Sequence, residues 1–175
     1  MAGLNRLFET RGPLHMDKFP VAASQSFQKG DFLTFNGSGQ LQLAVAAGSN
    51  VGSGALIVGM ANENALDDYG NLKNSVGVIF AQPGTQFKLP LYNATPASAV
   101  FNTNELGVKY ELHNLSSGGF AVDNGSTTNV AVTIVGIAAE DYPGWLTGTT
   151  GAGTIEYPAV WVEVRAAFSA LTGAR

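Results

Sequence analysis

Apolar and polar residues alternate along most of this chain with the two-residue period of half-buried strands. Gly30-Asp-Phe-Leu-Thr-Phe and Gln40-Leu-Gln-Leu-Ala44 flank Asn36-Gly37-Ser38-Gly39, a cluster that permits positive φ, and together they predict a β-hairpin. The apolar run Leu56-Ile-Val-Gly-Met-Ala61 predicts a third strand behind it. A second copy of the pattern follows. Gly107-Val-Lys-Tyr-Glu-Leu-His113 alternates, turns at Asn114–Gly119, returns through Phe120 and Val122, and is followed by Val132–Ala138. Gly30, Ile57, Val58, Gly59, Ala61 and Glu63 recur 77 positions later as Gly107, Ile134, Val135, Gly136, Ala138 and Glu140.

The remaining elements arrange themselves around this pair. Residues 1–26 keep no period and carry Pro13 and Pro20, which favours an extended arm. Its Leu4, Leu7, Phe8, Leu14, Met16 and Phe19 are too apolar for free disorder, so the arm is expected to pack on its own body or on a neighbour. Residues 27–175 are expected to form a single β domain with pseudo-repeat units at about 27–92 and 105–171. Val76–Phe80 and Gln86–Leu91 read as further strands, Pro90 placing the latter at an edge or at its end. Asn62–Asn71 reads as a polar loop and Ala94–Glu105 as the joint between units. After the Gly/Thr-rich stretch 141–154, Tyr157–Arg165 is a strand with Val160, Val162 and Val164 on one face and Trp161, Glu163 and Arg165 on the other. The fold class that follows is all-β, a small β-barrel or β-sandwich.

Composition narrows the function classes. The chain has 22 Gly, 7 Pro and 13% charged residues, the profile of short strands and tight turns. It has no Cys, which removes disulfides and thiolate chemistry. No apolar run approaches a membrane span and the N-terminus lacks the features of a signal peptide, so a soluble, unsecreted chain with no membrane partner is expected. Residues 1–29 carry four basic and two acidic side chains, and the rest five basic and eleven acidic. An acidic body repels phosphate, which argues against direct nucleic-acid binding. The mildly basic arm is either a solvated tail or an attachment segment for an acidic surface.

Chemistry-bearing patterns are sparse. His15 and His113 lie on different elements and in no metal-ligand spacing, and no G-x-S-x-G or Gly-Lys-Ser/Thr loop occurs. No metal, cofactor or catalytic residue is therefore assigned, and the chain is read as a non-enzyme. Glu63 and Glu140 follow matching strands, with Asp67, Asp68 and Asp141 nearby. They read as solvated loop ends or partners for a neighbour's basic residues, with a glycoside hydrolase as the catalytic alternative. Tyr142, Trp145, Tyr157 and Trp161 gather around the Gly/Thr-rich loop. Three uses stand open for them: interface anchors, a cover on the sheet, or a platform on which a sugar stacks.

Phe27-Gln-Lys-Gly-Asp-Phe-Leu-Thr-Phe-Asn-Gly-Ser-Gly-Gln-Leu-Gln-Leu-Ala44 with Ile57-Val-Gly-Met-Ala61 resembles the "K-G-D-hydrophobic, Gly turn, V-G-hydrophobic-A" units of capsid decoration, or cement, proteins of tailed bacteriophages. The likeness spans residues 20–140, and the second unit departs from it with Val108-Lys109 in place of Asp31-Phe32. The resemblance implies a structural virion protein on the outer surface of the expanded head, assembled in the host cytoplasm. Its partners would be the major capsid protein and itself, with a homotrimer favoured over a dimer. It would cement neighbouring capsid subunits against internal DNA pressure. Candidate capsid or protomer contacts are Leu4, Leu7, Phe8, Arg11, Leu14 and Phe19 of the arm, with Tyr142, Trp145 and Trp161. On this reading, removing residues 2–19 leaves the fold intact. The alternative is a carbohydrate- or host-binding β module displayed on a phage particle or tail.

Overall fold

The computed structural model describes residues 9–52, 55–95, 98–99, 101, 103–116, 118–138 and 159–165. The strands are β1 (Thr10–Arg11), β2 (Met16–Pro20), β3 (Phe32–Phe35), β4 (Leu41–Leu43), β5 (Ser49–Asn50), β6 (Ile57–Ala61), β7 (Ser75–Phe80), β8 (Gln86–Tyr92), β9 (Lys109–Asn114), β10 (Phe120–Asp123), β11 (Val132–Ile137) and β12 (Ala159–Val164). The fold is all-β, as the alternation predicts, and the hairpin and third strand of each expected unit are present.

The two sheets repeat one topology. In the first, β2 pairs β7, β7 pairs β6, β6 pairs β3 and β3 pairs β4, all antiparallel. In the second, β8 pairs β12, β12 pairs β11, β11 pairs β9 and β9 pairs β10, again all antiparallel. Each ring then closes through a parallel contact between its first and third strands. Val122 pairs Leu91 in the second, which is a closed five-stranded barrel. A single parallel bridge, Val21 to Leu41, does the same in the first.

Backbone hydrogen bonds align the copies residue by residue. The Gly30 N–H donates to the Ala61 carbonyl and the Ala61 N–H to Asp31; the Gly107 N–H donates to Ile134 and the Ile134 N–H to Val108. Gly107 thus matches Gly30 at the expected spacing, but Ile134 stands where Ala61 does, four positions on from the Ile57 it matches by sequence. The connections between strands differ in length, so no constant offset aligns the whole repeat.

The first strand of each unit also lies earlier than the periodicity placed it. Met16–Pro20, inside the segment expected as an extended arm outside the β domain, is a full partner of β7, and Phe19 packs into the first sheet's core, the own-body alternative for the arm. Gln86–Tyr92, expected in the first unit, opens the second. Lys18-Phe-Pro-Val21 and Lys88-Leu-Pro-Leu91 are the matching sequences, and Val21 and Leu91 make the two parallel closures. Removal of residues 2–19 would therefore take most of a core strand with it.

Pro90 is not at an edge either: Ala159 of β12 faces it on one side, and the other side is shared by β1 and β10. The Lys88 N–H donates to the Glu9 carbonyl, so the Pro90 nitrogen faces the same way. There it lies between the described pairings with β1 and with β10, so its missing donor breaks no ladder bond among the described residues.

Two apolar clusters follow from the alternation. Leu33, Leu41, Val58, Ala61, Val76, Val78 and Phe80 fill the first sheet, while Phe87, Leu89, Leu91, Tyr110, Leu112, Phe120, Val122 and the valines of β12 fill the second. Phe32, Ile57, Met60 and Ile79 leave the first sheet on its opposite face and join the second cluster. The Phe32 ring meets Phe87 and Phe120 edge-on, with centroids 5.1 and 5.5 Å away. Gly59 lets β6 and β7 approach at this point, because a Cβ there would lie 2.0 Å from the Ile79 carbonyl oxygen.

Truncating Phe32→Ala should cost about 3–5 kcal/mol of unfolding free energy in a denaturant titration, the range for a buried aromatic. Tyr69→Ala, at a residue 91% exposed, should stay within about 0.5 kcal/mol of the parent. Equal effects of the two would remove Phe32 from its place in the joint.

Candidate functional site

Polar side chains gather at two places on the second barrel, and one of them unites two residues singled out from sequence. Alternation in β12 sends Val160 and Val162 inward and Trp161 outward. β1 lies along β8, Thr10 opposite Phe87 and Arg11 opposite Gln86. This register brings the Arg11 guanidinium over the Trp161 ring, 4.3 Å from its centroid. Arg11 Nε also donates to Gln86 Oε1, and Gln86 Nε2 to Glu163 Oε1 at 3.0 Å. Gly136 makes the space, since a Cβ there would stand 2.7 Å from the guanidinium.

Lys88 completes the cluster. It is 1% exposed, its ammonium pairs with Glu9 at 3.0 Å, and it lies 6.0 Å from the Trp161 centroid. Together these contacts clamp residues 9–11 to the barrel. Trp161 is 5% exposed, so of its three proposed uses burial favours a cover on the sheet, and no open indole face is left for a sugar. Its indole Nε1 is buried and donates to no described residue.

The other arm candidates separate. Phe19 is half-buried on the first core, against Phe35 and Phe80 at 5.0 and 5.7 Å, whereas Leu14 is 57% exposed. Leu4, Leu7, Phe8, Tyr142 and Trp145 lie outside the described residues, as do Glu140, Asp141 and Tyr157. Glu63 is a loop-end carboxylate with two basic partners in its own chain, Lys73 at 3.2 Å and Lys18 at 3.7 Å, and it accepts the Gly77 N–H at 3.2 Å. Its partial burial alone would raise its pKa, but the Lys73 and Gly77 hydrogen bonds and the charges of Lys18 and Lys73 hold it below the ordinary value. The Asp67 carboxylate is likewise held low, chiefly by the Asn71 N–H.

The second cluster has no counterpart among the sequence candidates. Glu111 and Asp123 stand directly opposite each other on β9 and β10, both buried, an arrangement that like charges disfavour. Asn50 resolves it. The short strand β5 pairs with β9, and the Asn50 amide donates to Glu111 and to Asp123 Oδ2, the latter at 3.2 Å, while its Oδ1 meets His113 Nδ1. Tyr92 stacks flat on the His113 ring at 4.3 Å. The Asn129 and Gly125 N–H groups bond the outer carboxylate oxygens at 2.6 and 3.0 Å. No three His, Cys, Asp or Glu among the described residues converge as metal ligands, and the Asn50 amide stands between the two carboxylates.

Alternation does mark Glu111 and His113 as facing away from the core, between Tyr110, Leu112 and Asn114. The partner Asn50 comes from an irregular Gly/Ser-rich connection, where sequence carries no signal of what it will meet. No protein-family model and no curated protein matches the chain.

Burial pushes His113 below its ordinary value of 6.5, and Asp123 and Glu111 oppose that shift only in part. The unfolded chain therefore binds this proton at higher pH than the folded one. Stability should fall as pH drops below about 6.5 and stop responding to His113 once the folded group is protonated. Denaturant midpoints measured across this window should fall less in His113→Asn than in the parent. Parallel profiles would exclude the imidazole as the cause. Asn50→Ala, which strips the donor from both carboxylates, should cost about 1–3 kcal/mol at neutral pH by the same titration.

Proposed function

We propose that the chain is a structural adhesion protein that decorates the outer surface of an expanded phage head and cements neighbouring major capsid subunits. One observation carries the reading: the two copies of the barrel differ at one edge. In the second, β8 beside Gln86 and Phe87 is covered by β1. In the first, Met16 and Asp17 hold the equivalent positions, and no described strand covers them.

The uncovered edge lies beside apolar surface, with Leu14 57% and Met16 55% exposed. Pro20 and Lys18, whose N–H is taken by the Asp17 side chain, limit open-ended pairing. Such an edge accepts one short extended segment, and β1 on β8 is the pattern for it. The occupant we assign is an extended segment of a major capsid subunit. Self-association, as a trimer or a dimer, would multiply a modest contact by bringing several edges to the shell at once. The resemblance of Lys29-Gly-Asp31 and the Gly turn to decoration proteins points the same way.

Co-sedimentation with decoration-free heads tests this. Saturable binding to expanded and not to unexpanded shells is the expected result. The double variant Leu14→Ser, Met16→Ser should bind at least about tenfold more weakly with an unchanged thermal midpoint, the loss typical of an interface anchor. Absence of binding to either shell overturns the proposal, and full binding by the double variant removes this edge from it.

A further inference from the structure

The chain contains Asn-Gly twice, at Asn36-Gly37 and Asn124-Gly125. In such a pair the glycine nitrogen can attack the asparagine side-chain carbonyl, because no side chain on the second residue hinders the approach. The structure treats these two identical dipeptides in opposite ways. We propose that Asn36-Gly37 is a site of self-modification through a cyclic imide, and that the fold shields Asn124-Gly125 from the same reaction.

Asn36 Oδ1 accepts the backbone N–H of Ser38 and of Gln40, each at 2.9 Å. Two backbone donors on one carbonyl oxygen polarise the amide and fix its carbon in the turn that carries the Gly37 nitrogen. Asn36 Nδ2 donates to Gln40 Oε1 at 3.2 Å, which orients the amide. Gly37 is exposed, has nothing within 4 Å of where a Cβ would stand, and its N–H donates to no described residue. The electrophile is activated and the nucleophile is free.

At the other pair the glycine N–H is tied and its backbone crowded, and Asn124 Oδ1 has one side-chain donor in place of two backbone donors. The Gly125 N–H donates to Asp123 Oδ1 at 3.0 Å, and the negative carboxylate opposes loss of that proton. The Asn124 side chain is held at both ends, accepting from Asn93 Nδ2 at 3.0 Å and donating to the Ser98 carbonyl at 3.2 Å. A Cβ on Gly125 would stand 3.0 Å from Asn93, so this backbone is crowded as well as tied.

The chemistry needs only water and hydroxide. Hydroxide removes the Gly37 amide proton, the nitrogen bonds to Asn36 Cγ, and the Cγ–Nδ2 bond breaks to release ammonia, which takes its extra proton from water. Water then opens the imide. Cleavage of the new bond gives aspartate, and cleavage of the original peptide carbonyl gives isoaspartate. Both products add a negative charge to the β3–β4 hairpin end, and isoaspartate adds a methylene to its main chain.

The test incubates the full chain at mildly alkaline pH, folded and in concentrated urea, and follows the one-dalton mass gain of peptides containing each site. In the folded chain position 36 should convert at least about tenfold faster than position 124, since the Gly125 N–H must first leave the Asp123 carboxylate, and a hydrogen bond to a charged group is worth at least about that factor. In urea the two rates should converge. Gly37→Ala, at a position without positive φ, should slow conversion at 36 and leave the thermal midpoint unchanged. Equal rates in the folded chain, faster conversion at 124, or a ratio indifferent to urea would each overturn the proposal.

Discussion

The edge-on packing of Phe32 between Phe87 and Phe120 is the contact on which the two halves of the molecule depend. A five-stranded barrel has room for few side chains, so each half alone would be a marginal domain. Joining them requires that one strand bury both of its faces, and β3 does so, with Leu33 and Phe35 inside its own sheet and Phe32 in the neighbouring core. The hydrogen-bond alignment puts Lys109 at the position equivalent to Phe32, and Lys109 is exposed. The duplication is therefore symmetric in hydrogen bonding and asymmetric in burial. The first copy supplies the outward apolar residues, and the second receives them.

The same asymmetry governs the edges. Lys18 and Lys88 occupy matching places in the two Lys-x-Pro sequences, with side chains 68% and 1% exposed. Lys88 is buried because β1 lies beside its strand and brings Glu9 to its ammonium and Arg11 to Trp161. A buried cation without such a partner would be expensive. Lys18 has no such cover and reaches across the surface to Glu63 instead. One barrel is thus finished by its own chain, while the other keeps, among the described residues, a short, polar-guarded edge flanked by Leu14 and Met16. The proposed adhesive role draws on that combination of a rigid body and a limited place of attachment.

The Asn50 cluster shows how a connection can be as constrained as a strand. Opposed carboxylates on β9 and β10 would repel, and the Asn50 amide answers both while its oxygen accepts a hydrogen bond from His113 Nδ1. Because β5 belongs to the link between β4 and β6, these bonds also tie a loop of the first unit to the barrel of the second. The cluster therefore reinforces the joint made by Phe32, with hydrogen bonds where the joint uses packing.

The sequence by itself determined the all-β class, the hairpin around Asn36–Gly39, the use of one unit twice, and the inward face of β12, because each rests on short-range periodicity and turn chemistry. It also singled out Arg11 and Trp161 as candidate contact residues. Only the tertiary structure decided that these two meet, since they lie on strands brought together by the ladder of β8. It decided too that Pro90 sits inside a sheet, because whether its missing donor is costly depends on the strand alongside it and not on its neighbours in the chain. The start of each unit eluded periodicity because Lys18-Phe-Pro-Val21 and Lys88-Leu-Pro-Leu91 are too short to establish a period and are spaced differently from Gly30 and Gly107. Closure of a barrel is a long-range event, and it was the parallel pairing of Val21 and Leu91 with distant strands that revealed their equivalence.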